Sequence, residues 1–348
     1  MGKKEFKKLS DEELREKIVQ AENREIKQKS LGINGVILGA IGCILGMLLE
    51  APILTAIFAV VFLVGFIFYF IGHRTESETV SFVDEQMSDF YEAEWKKTFG
   101  PRMNTQEMRI SKPLMEELHP VKELWEYCNT WRSYEGNYHG THFSVANVKL
   151  VEEILEGDNG HKQITRYRGM VLRCKDICDP ALDITLREKG TSKRESDLTN
   201  PVVFCQFFSA STADGQPVDY LVTPELRELV RKLKACDNRE LVDLELRRLK
   251  NLRPKAQEVD KVGKKTHVIE DSVLENIRKQ EELAQNLPVT ALALHDGEAI
   301  LAINGCLIGE GILEGDGMTN IDLIRSRFRA SMPLVCNLID ILRESFGK

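Results

Sequence analysis

The chain has 348 residues, 29% of them charged and 43% apolar, with a formal net charge of −7. Both signs of charge are interspersed outside one apolar block, which excludes a dedicated nucleic-acid surface, since that needs a basic patch to neutralise phosphates. Eight irregularly spaced cysteines, one of them Cys43 inside the apolar block, do not form a disulfide framework and point to a reducing, cytosolic setting.

In chain order, residues 1–30 carry nine Lys or Arg. Ser10-Asp11-Glu12-Glu13 has the form of a capping box that starts a helix, and Leu14, Ile18 and Ala21 follow as its apolar stripe. Residues 31–71 contain a single charged side chain, Glu50. Leu31–Leu49 and Ile53–Ile71 are each 19 residues, about 28 Å as helices, which matches a hydrocarbon core of about 30 Å. Pro52 suits the first turn of the second helix, where its missing N–H goes unneeded. The block therefore predicts a transmembrane helical hairpin, 31–49 and 53–71, rather than a cleaved signal peptide, whose apolar core would be shorter.

Gly32, Gly35, Gly39, Gly42 and Gly46 recur at 3, 4, 3, 4 and fall within about 80° of one helical face. Each costs a helix interior about 1 kcal/mol relative to alanine. In lipid, helices associate through close backbone packing, which a glycine seam permits. Its partner is left open: the second helix offers Thr55, Ala56 and Ala59, but Phe58, Phe62, Phe66 and Tyr69 form a face of their own, and self-association or docking of another protein would use the same seam. Basic residues cluster before the first span and at Arg74, and none lies between the spans, so both termini are expected in the cytoplasm. A two-pass protein of the cytoplasmic (inner) membrane follows, with the lipid bilayer as its first partner.

Past the second span, Val80, Val83, Met87 and Phe90 form another stripe. Facing positions of an antiparallel pair have a constant sum, and Ala21 with Val80, Ile18 with Val83, and Leu14 with Met87 each give 101. The two spans are thus expected to continue as an antiparallel helix pair, the alternative being an amphipathic first helix lying on the inner leaflet. Residues 72–131 read as a helical stalk or linker, with short helices broken at Pro113 and Pro120.

Residues 132–348 read as a cytoplasmic α+β domain with antiparallel strands and a C-terminal helix, because strands and helices do not alternate regularly. "SYEGNYHGTHFSVANVKLVEEI" predicts two strands turning near Gly140; "ITRYRGMVLRCKDI" and "PVVFCQFFSA" predict further strands. "TPELRELVRKL" predicts a helix capped by Thr223 with Pro224 in its first turn. Residues 237–287 are charged, helical or linker-like in parts. "TALALHDGEAILAING" predicts a hairpin through Asp296-Gly297, a type I′ pair. Residues 319–346 predict a helix kinked or interrupted at Pro333.

The chemical motifs are weak. Gly309, Gly311 and Gly315 spell GxGxxxG, but Glu310, Glu314 and Asp316 in the same loop would repel a phosphate. His139 and His142 lack a neighbouring carboxylate or cysteine to complete a metal set. Cys174 and Cys178 lack CxxC spacing, and read as core or surface thiols. No GxSxG or HExxH occurs. No catalytic, cofactor-binding or metal residue is assigned, and no cofactor is expected. A site assembled from distant residues, His139 or His142 with Asp176 and Asp296, is the enzymatic alternative.

Three stretches together resemble a bacterial membrane-protein family catalogued as domain of unknown function 3137. Tyr134–Val148 resembles its glycine–aromatic strand pair, Tyr167-Arg168-Gly169-Met170 its next strand entry, and Tyr220-Leu221-Val222-Thr223-Pro224 a stretch before its final hairpin and terminal helix. The chain departs from the family at Arg173-Cys174-Lys175-Asp176, at Asp219, and in the length of 237–287. The resemblance implies an N-terminal helical segment, two close membrane helices and a cytoplasmic α+β region, and it carries no activity or site residues. The expectation is a membrane-anchored cytoplasmic binding or scaffold module without catalysis, with an enzyme or an accessory subunit of a transport complex as alternatives.

Overall fold

The computed structural model describes residues 9–101, 108–156, 160–189, 198–259, 274–282, 286–310 and 320–347. Its contacts divide the chain into two compact units, one of residues 1–91 with 317–324, the other of residues 92–316 with 325–348.

The first unit is a helical pair, α1 (Asp11–Leu48) and α2 (Pro52–Gln86). Ser10 caps α1 by accepting from the Glu13 amide, and the Glu13 carboxylate returns the bond to the Ser10 amide, the reciprocal box read from the sequence. α1 then runs unbroken through residues 30 and 31, so the N-terminal helix and the first apolar run are one element of about 57 Å. Glu50 turns the chain in a left-handed conformation (φ 51°), and Pro52 opens α2 in its first turn. Leu14, Ile18, Val83 and Met87 are all buried, as the constant-sum pairing requires. The Val80 side chain, invoked in the same pairing, lies outside the described ones.

The second unit is an α+β fold on a seven-stranded, wholly antiparallel sheet of order β1-β2-β3-β7-β6-β4-β5. The strands are β1 (Tyr127–Tyr138), β2 (Thr141–Glu156), β3 (Gly160–Cys174), β4 (Asp183–Glu188), β5 (Phe208–Ser211), β6 (Val289–His295) and β7 (Glu298–Asn304). The β6–β7 hairpin turns through Asp296 (φ 50°) and Gly297 (φ 79°), and β1–β2 through His139 (φ 49°) and Gly140 (φ 85°). Two successive left-handed residues are what a type I′ turn demands, and they match the twist of the flanking strands.

Alternate residues of β2 face opposite ways. Ala146, Val148 and Leu150 join Val171, Ala293 and Ile300 in a cluster closed by Leu114, Met115 and Leu118 of α4 (Lys112–Leu118). Phe143 and Val145 face the other side. There Trp95 and Phe99 of α3 (Ser88–Phe99) pack on Phe143, and Tyr134 meets Phe328 of α9 (Ile321–Ser345). Helices α6 (Pro224–Lys234) and α7 (Arg239–Val259) complete the unit, with α8 spanning 274–282 and α5 (Pro201–Phe207) preceding β5.

Several expectations are corrected. Residues 127–131 are strand, not stalk, and the α+β unit begins at Glu92 rather than at 132, because Trp95, Phe99 and α4 are part of its core. Pro113 starts α4 instead of breaking a helix. "PVVFCQFFSA" is a helix followed by a short strand: Asn200 accepts from the Val202 amide and Pro201 takes the first turn. Of the kink or interruption expected at Pro333, the interruption is absent: the proline lies inside α9.

Candidate functional site

The hairpin has the α1 glycines inside and its large aliphatic side chains outside. The five α1 glycines face α2: a side-chain carbon at Gly32 would lie 2.5 Å from the Tyr69 amide nitrogen, one at Gly39 2.5 Å from that of Phe62, and one at Gly35 2.8 Å from the Gly65 Cα. Gly42 takes the ring of Phe58, and Gly46 takes Thr55. These facing positions sum to 100 or 101, so the register read in the flanking stripes continues through the apolar run. Tyr69, Phe62 and Phe58 of α2 meet the seam together with Gly65 and Thr55, while Phe66 is 49% exposed. At Gly42 the missing side chain makes room for the Phe58 ring, and at Gly32 and Gly39 it lets the α2 backbone itself approach.

The outward faces carry the aliphatic bulk. Leu38 is 60% exposed, Val60 59% and Leu63 59%, and Ile37, Ile41, Ile44, Ile57 and Ile67 are likewise exposed. Both helices are long and apolar enough to cross a membrane. A water-soluble helix pair buries such residues against each other; a contiguous apolar surface on this scale is one that a membrane or another protein would cover.

In the α+β unit, the notable chemistry is a buried ionic cluster on the α9 face of the sheet. β1 is bulged between Trp131 and Tyr134, with Arg132 left-handed (φ 48°) at the irregularity. The bulge re-aims the Arg132 side chain, so that its guanidinium donates to the Ile308 carbonyl at 3.1 Å. Asn147 on β2 grips the same residue twice, accepting from the Ile308 amide at 2.8 Å and donating to its carbonyl at 3.1 Å. The segment after β7 is thereby laid across the sheet, and Glu310 is delivered to the Trp131 indole N–H and to Arg168 at 3.1 Å, with Arg132 at 3.6 Å. Gly309 (φ 67°) has no room for a side chain beneath the Arg132 guanidinium and Phe328.

A second ionic group adjoins it. Arg327 of α9, with no exposed side-chain surface, donates to both carboxylate oxygens of Glu245 at 2.5 and 3.1 Å, and Arg248 reaches the same carboxylate at 3.2 Å. Ser331 links the groups, donating to the Arg327 carbonyl at 2.8 Å and accepting from the Gly309 amide at 3.1 Å. Such bidentate, charge-assisted pairs hold geometry tightly, and removal of one partner leaves an uncompensated buried charge.

The Tyr167-Arg168-Gly169 stretch has a physical role here. The Tyr167 hydroxyl folds over Gly169 to reach the carbonyls of Met170 at 2.9 Å and Ile303 at 3.1 Å. A side-chain carbon at position 169 would sit 2.8 Å from that hydroxyl and 2.9 Å from the Asn304 Cα. Glycine thus lets β3 and β7 close up, while Arg168 reaches the Glu310 carboxylate. Burial in this apolar layer pushes the Tyr167 hydroxyl well above its ordinary value.

The residues singled out by sequence are placed as follows. His139, Asp176 and Asp296 occupy three turns at one end of the sheet, beside His142 at the start of β2. They are not joined to one another in any described contact. His139 stacks on Tyr138 at 4.1 Å and lies 3.2 Å from the Asp340 carboxylate of α9, and the His142 carbonyl accepts from the Lys175 amide. Cys174 and Cys178 are buried, and burial pushes the Cys174 thiol up; the Cys178 thiol donates to the Glu298 carbonyl at 3.3 Å. Cys236 and Cys306 are pushed by burial to about 12, so neither is a thiolate at neutral pH. Gly311 and Gly315 of the glycine-rich loop lie outside the described residues. Among the described residues no group of three or more His, Cys, Asp or Glu is arranged to hold a metal ion.

Sequence reasoning missed the ionic cluster. Arg132, Arg168, Glu245, Glu310 and Arg327 are spread over most of the α+β unit, and only the fold brings them together. The bulge that aims Arg132 leaves no mark in composition or period. Comparison of the chain with family models, with curated proteins and with solved structures finds no match in any of the three.

Proposed function

We propose that the chain is a two-pass protein of the bacterial cytoplasmic membrane, with both termini inside, whose α+β unit serves as a binding or scaffold module without catalysis of its own. Membership of the family catalogued as domain of unknown function 3137 is part of this proposal. It rests on the three stretches quoted above, of which Tyr167-Arg168-Gly169 now has a packing reason. The single observation that carries the membrane reading is the inverted hairpin, with five glycines facing inward and its large aliphatic side chains outward. The inside placement of both ends rests on the nine basic residues before Leu31 and their absence from the turn at Glu50-Ala51-Pro52. The net charge of −7 favours a protein or lipid partner over a nucleic acid. With the glycine face taken up by α2, a protein partner would meet the α+β unit or the outer face of the hairpin.

Two measurements test this reading. Full-length protein should sediment with membranes, resist carbonate extraction and enter solution only with detergent. Protease added to intact spheroplasts should leave the region after residue 92 uncut, and degrade it once the membrane is opened. Recovery in the supernatant without detergent, or digestion from outside, would contradict it. Replacement of both His139 and His142 with preserved folding and a lost cellular phenotype would favour the enzymatic alternative instead.

A further inference from the structure

We propose that His139, at the tip of the β1–β2 hairpin, is a site of reversible covalent modification, accepting a phosphoryl group on Nε2 from a donor of the phosphoramidate class. The sheet unit receives the group without catalysing a reaction of its own, and the assignment is independent of the membrane reading. The turn fixes the ring. His139 is left-handed (φ 49°), and its imidazole stacks on Tyr138 at 4.1 Å with 24° between the planes. Nδ1 lies 3.2 Å from one Asp340 carboxylate oxygen, and the Tyr138 hydroxyl donates to the other at 3.3 Å. Arg343 lies 3.9 Å from the oxygen that faces His139 and brings a positive charge to the cluster. His139 is exposed, so as an ion pair the contact contributes little to stability. Its consequence is chemical.

An ionised carboxylate only accepts hydrogen bonds, so Asp340 keeps the ring proton on Nδ1, and the neutral imidazole has its lone pair on Nε2. A metal ion would need further ligands, and among the described residues no set of them is assembled. A phosphoryl group needs only the one nitrogen. The Nε2 lone pair forms the new P–N bond, the P–N bond of the donor breaks, and the protonated donor nitrogen leaves as the free amine with the bonding pair. The ring then carries the phosphoryl group on Nε2 and its proton on Nδ1, so it is cationic, and Asp340 stabilises that charge. One P–N bond replaces another, which makes the transfer reversible. Asp340 is a positioning residue. The chain also holds its own reference: His119 is exposed and left-handed too (φ 44°), but its ring has no hydrogen bond or ion pair among the described residues.

The test incubates the detergent-solubilised full chain with potassium phosphoramidate, from which ammonia is the leaving group, and maps phosphorylated histidines over time. His139 should be labelled about tenfold faster than His119, and Asp340→Asn should remove that advantage while leaving the rate at His119 unchanged. Nitrogen-15 spectra of histidine-labelled protein should show the neutral His139 ring protonated on Nδ1, a signature that Asp340→Asn shifts and a merely structural contact would not set. Labelling of His139 no faster than His119, an unchanged rate in Asp340→Asn, or a neutral ring protonated on Nε2 would each overturn the proposal. The ratio of the two rates and the ring spectrum of the unsubstituted protein decide the matter even if the variant does not fold.

Discussion

The hairpin and the sheet unit arrange the same residue types in opposite ways. In the hairpin, glycine is inside and isoleucine, leucine and valine are outside; in the sheet unit, Val145, Leu172, Leu301 and Ile303 are inside and charge covers much of the outside. On the membrane reading proposed above, the physics is shared and the surroundings differ. Where water surrounds a fold, removing apolar area from it contributes about 25 cal/mol per Å², so bulk goes inward. Where the surroundings are themselves apolar, that drive vanishes and close backbone contact takes its place, so the smallest residues go inward. Glycine is a cost in the first setting and an asset in the second.

Truncation is the sharpest way to break this contrast. Trp95 is fully buried, stacks on Tyr134 at 4.7 Å and donates to the Glu135 carbonyl at 2.9 Å. Trp95→Ala should lower stability by about 3–5 kcal/mol, read from denaturant unfolding followed in the sheet unit. Ile41→Ala, on the outward face of α1, should move it by no more than about 0.5 kcal/mol.

Next in size is the ionic cluster. Arg327→Met removes a fully buried guanidinium from Glu245 and should cost about 3 kcal/mol. Pairing it with Glu245→Leu should cost less than Arg327→Met alone, because the stranded carboxylate goes too; a double-mutant cycle reads the difference.

Two glycine substitutions compare close approach in the two settings. Gly169→Ala, under the Tyr167 hydroxyl, should cost about 1–3 kcal/mol through overpacking, read as a lower unfolding midpoint. Gly39→Ala places a methyl against the backbone of Phe62, which cannot swing aside. Disulfide formation between cysteines introduced at positions 18 and 83 should be efficient with Gly39 and about tenfold weaker with alanine there, equivalent to about 1.4 kcal/mol.

The smallest effect is a pH dependence at the entry to α7. Hydrogen bonds from the Arg239 side chain and amide hold the Asp237 carboxyl at about 2, below its ordinary 3.8. A depressed carboxyl contributes stability above its unfolded value and loses it as pH falls through the folded one. Asp237→Asn should therefore be slightly less stable than the unsubstituted protein near pH 5, and the two should converge toward pH 2. The site is exposed and screened, so the gap is small.

Much of the layout was legible because local rules agree with the fold. The Ser10–Glu13 box, Pro52 after the turn, the Thr223-Pro224 cap and the Asp296-Gly297 hairpin all stand where the residues place them. The helix-pair register was legible because antiparallel geometry fixes a sum. Alternation misled at residues 201–207, where Asn200 and Pro201 were the stronger signal for a helix start. The stalk expected over 127–131 is strand, since Tyr127, Thr130 and Trp131 favour the extended conformation over the helices before them. The ionic cluster was beyond reach, since Glu310 meets Arg168 and Trp131 only through a crossing that Asn147 and a bulge create.

Hydroxyl-radical footprinting of the unsubstituted chain in lipid vesicles tests the central claim most directly, because it compares the two regions in one sample. Leu38, Ile41, Val60 and Leu63 should escape oxidation, while Leu124 and Tyr220, 81% and 83% exposed on the sheet unit, should be modified. Oxidation of the hairpin's outward residues to an extent comparable with Tyr220 would mean that water surrounds them, and would contradict the account.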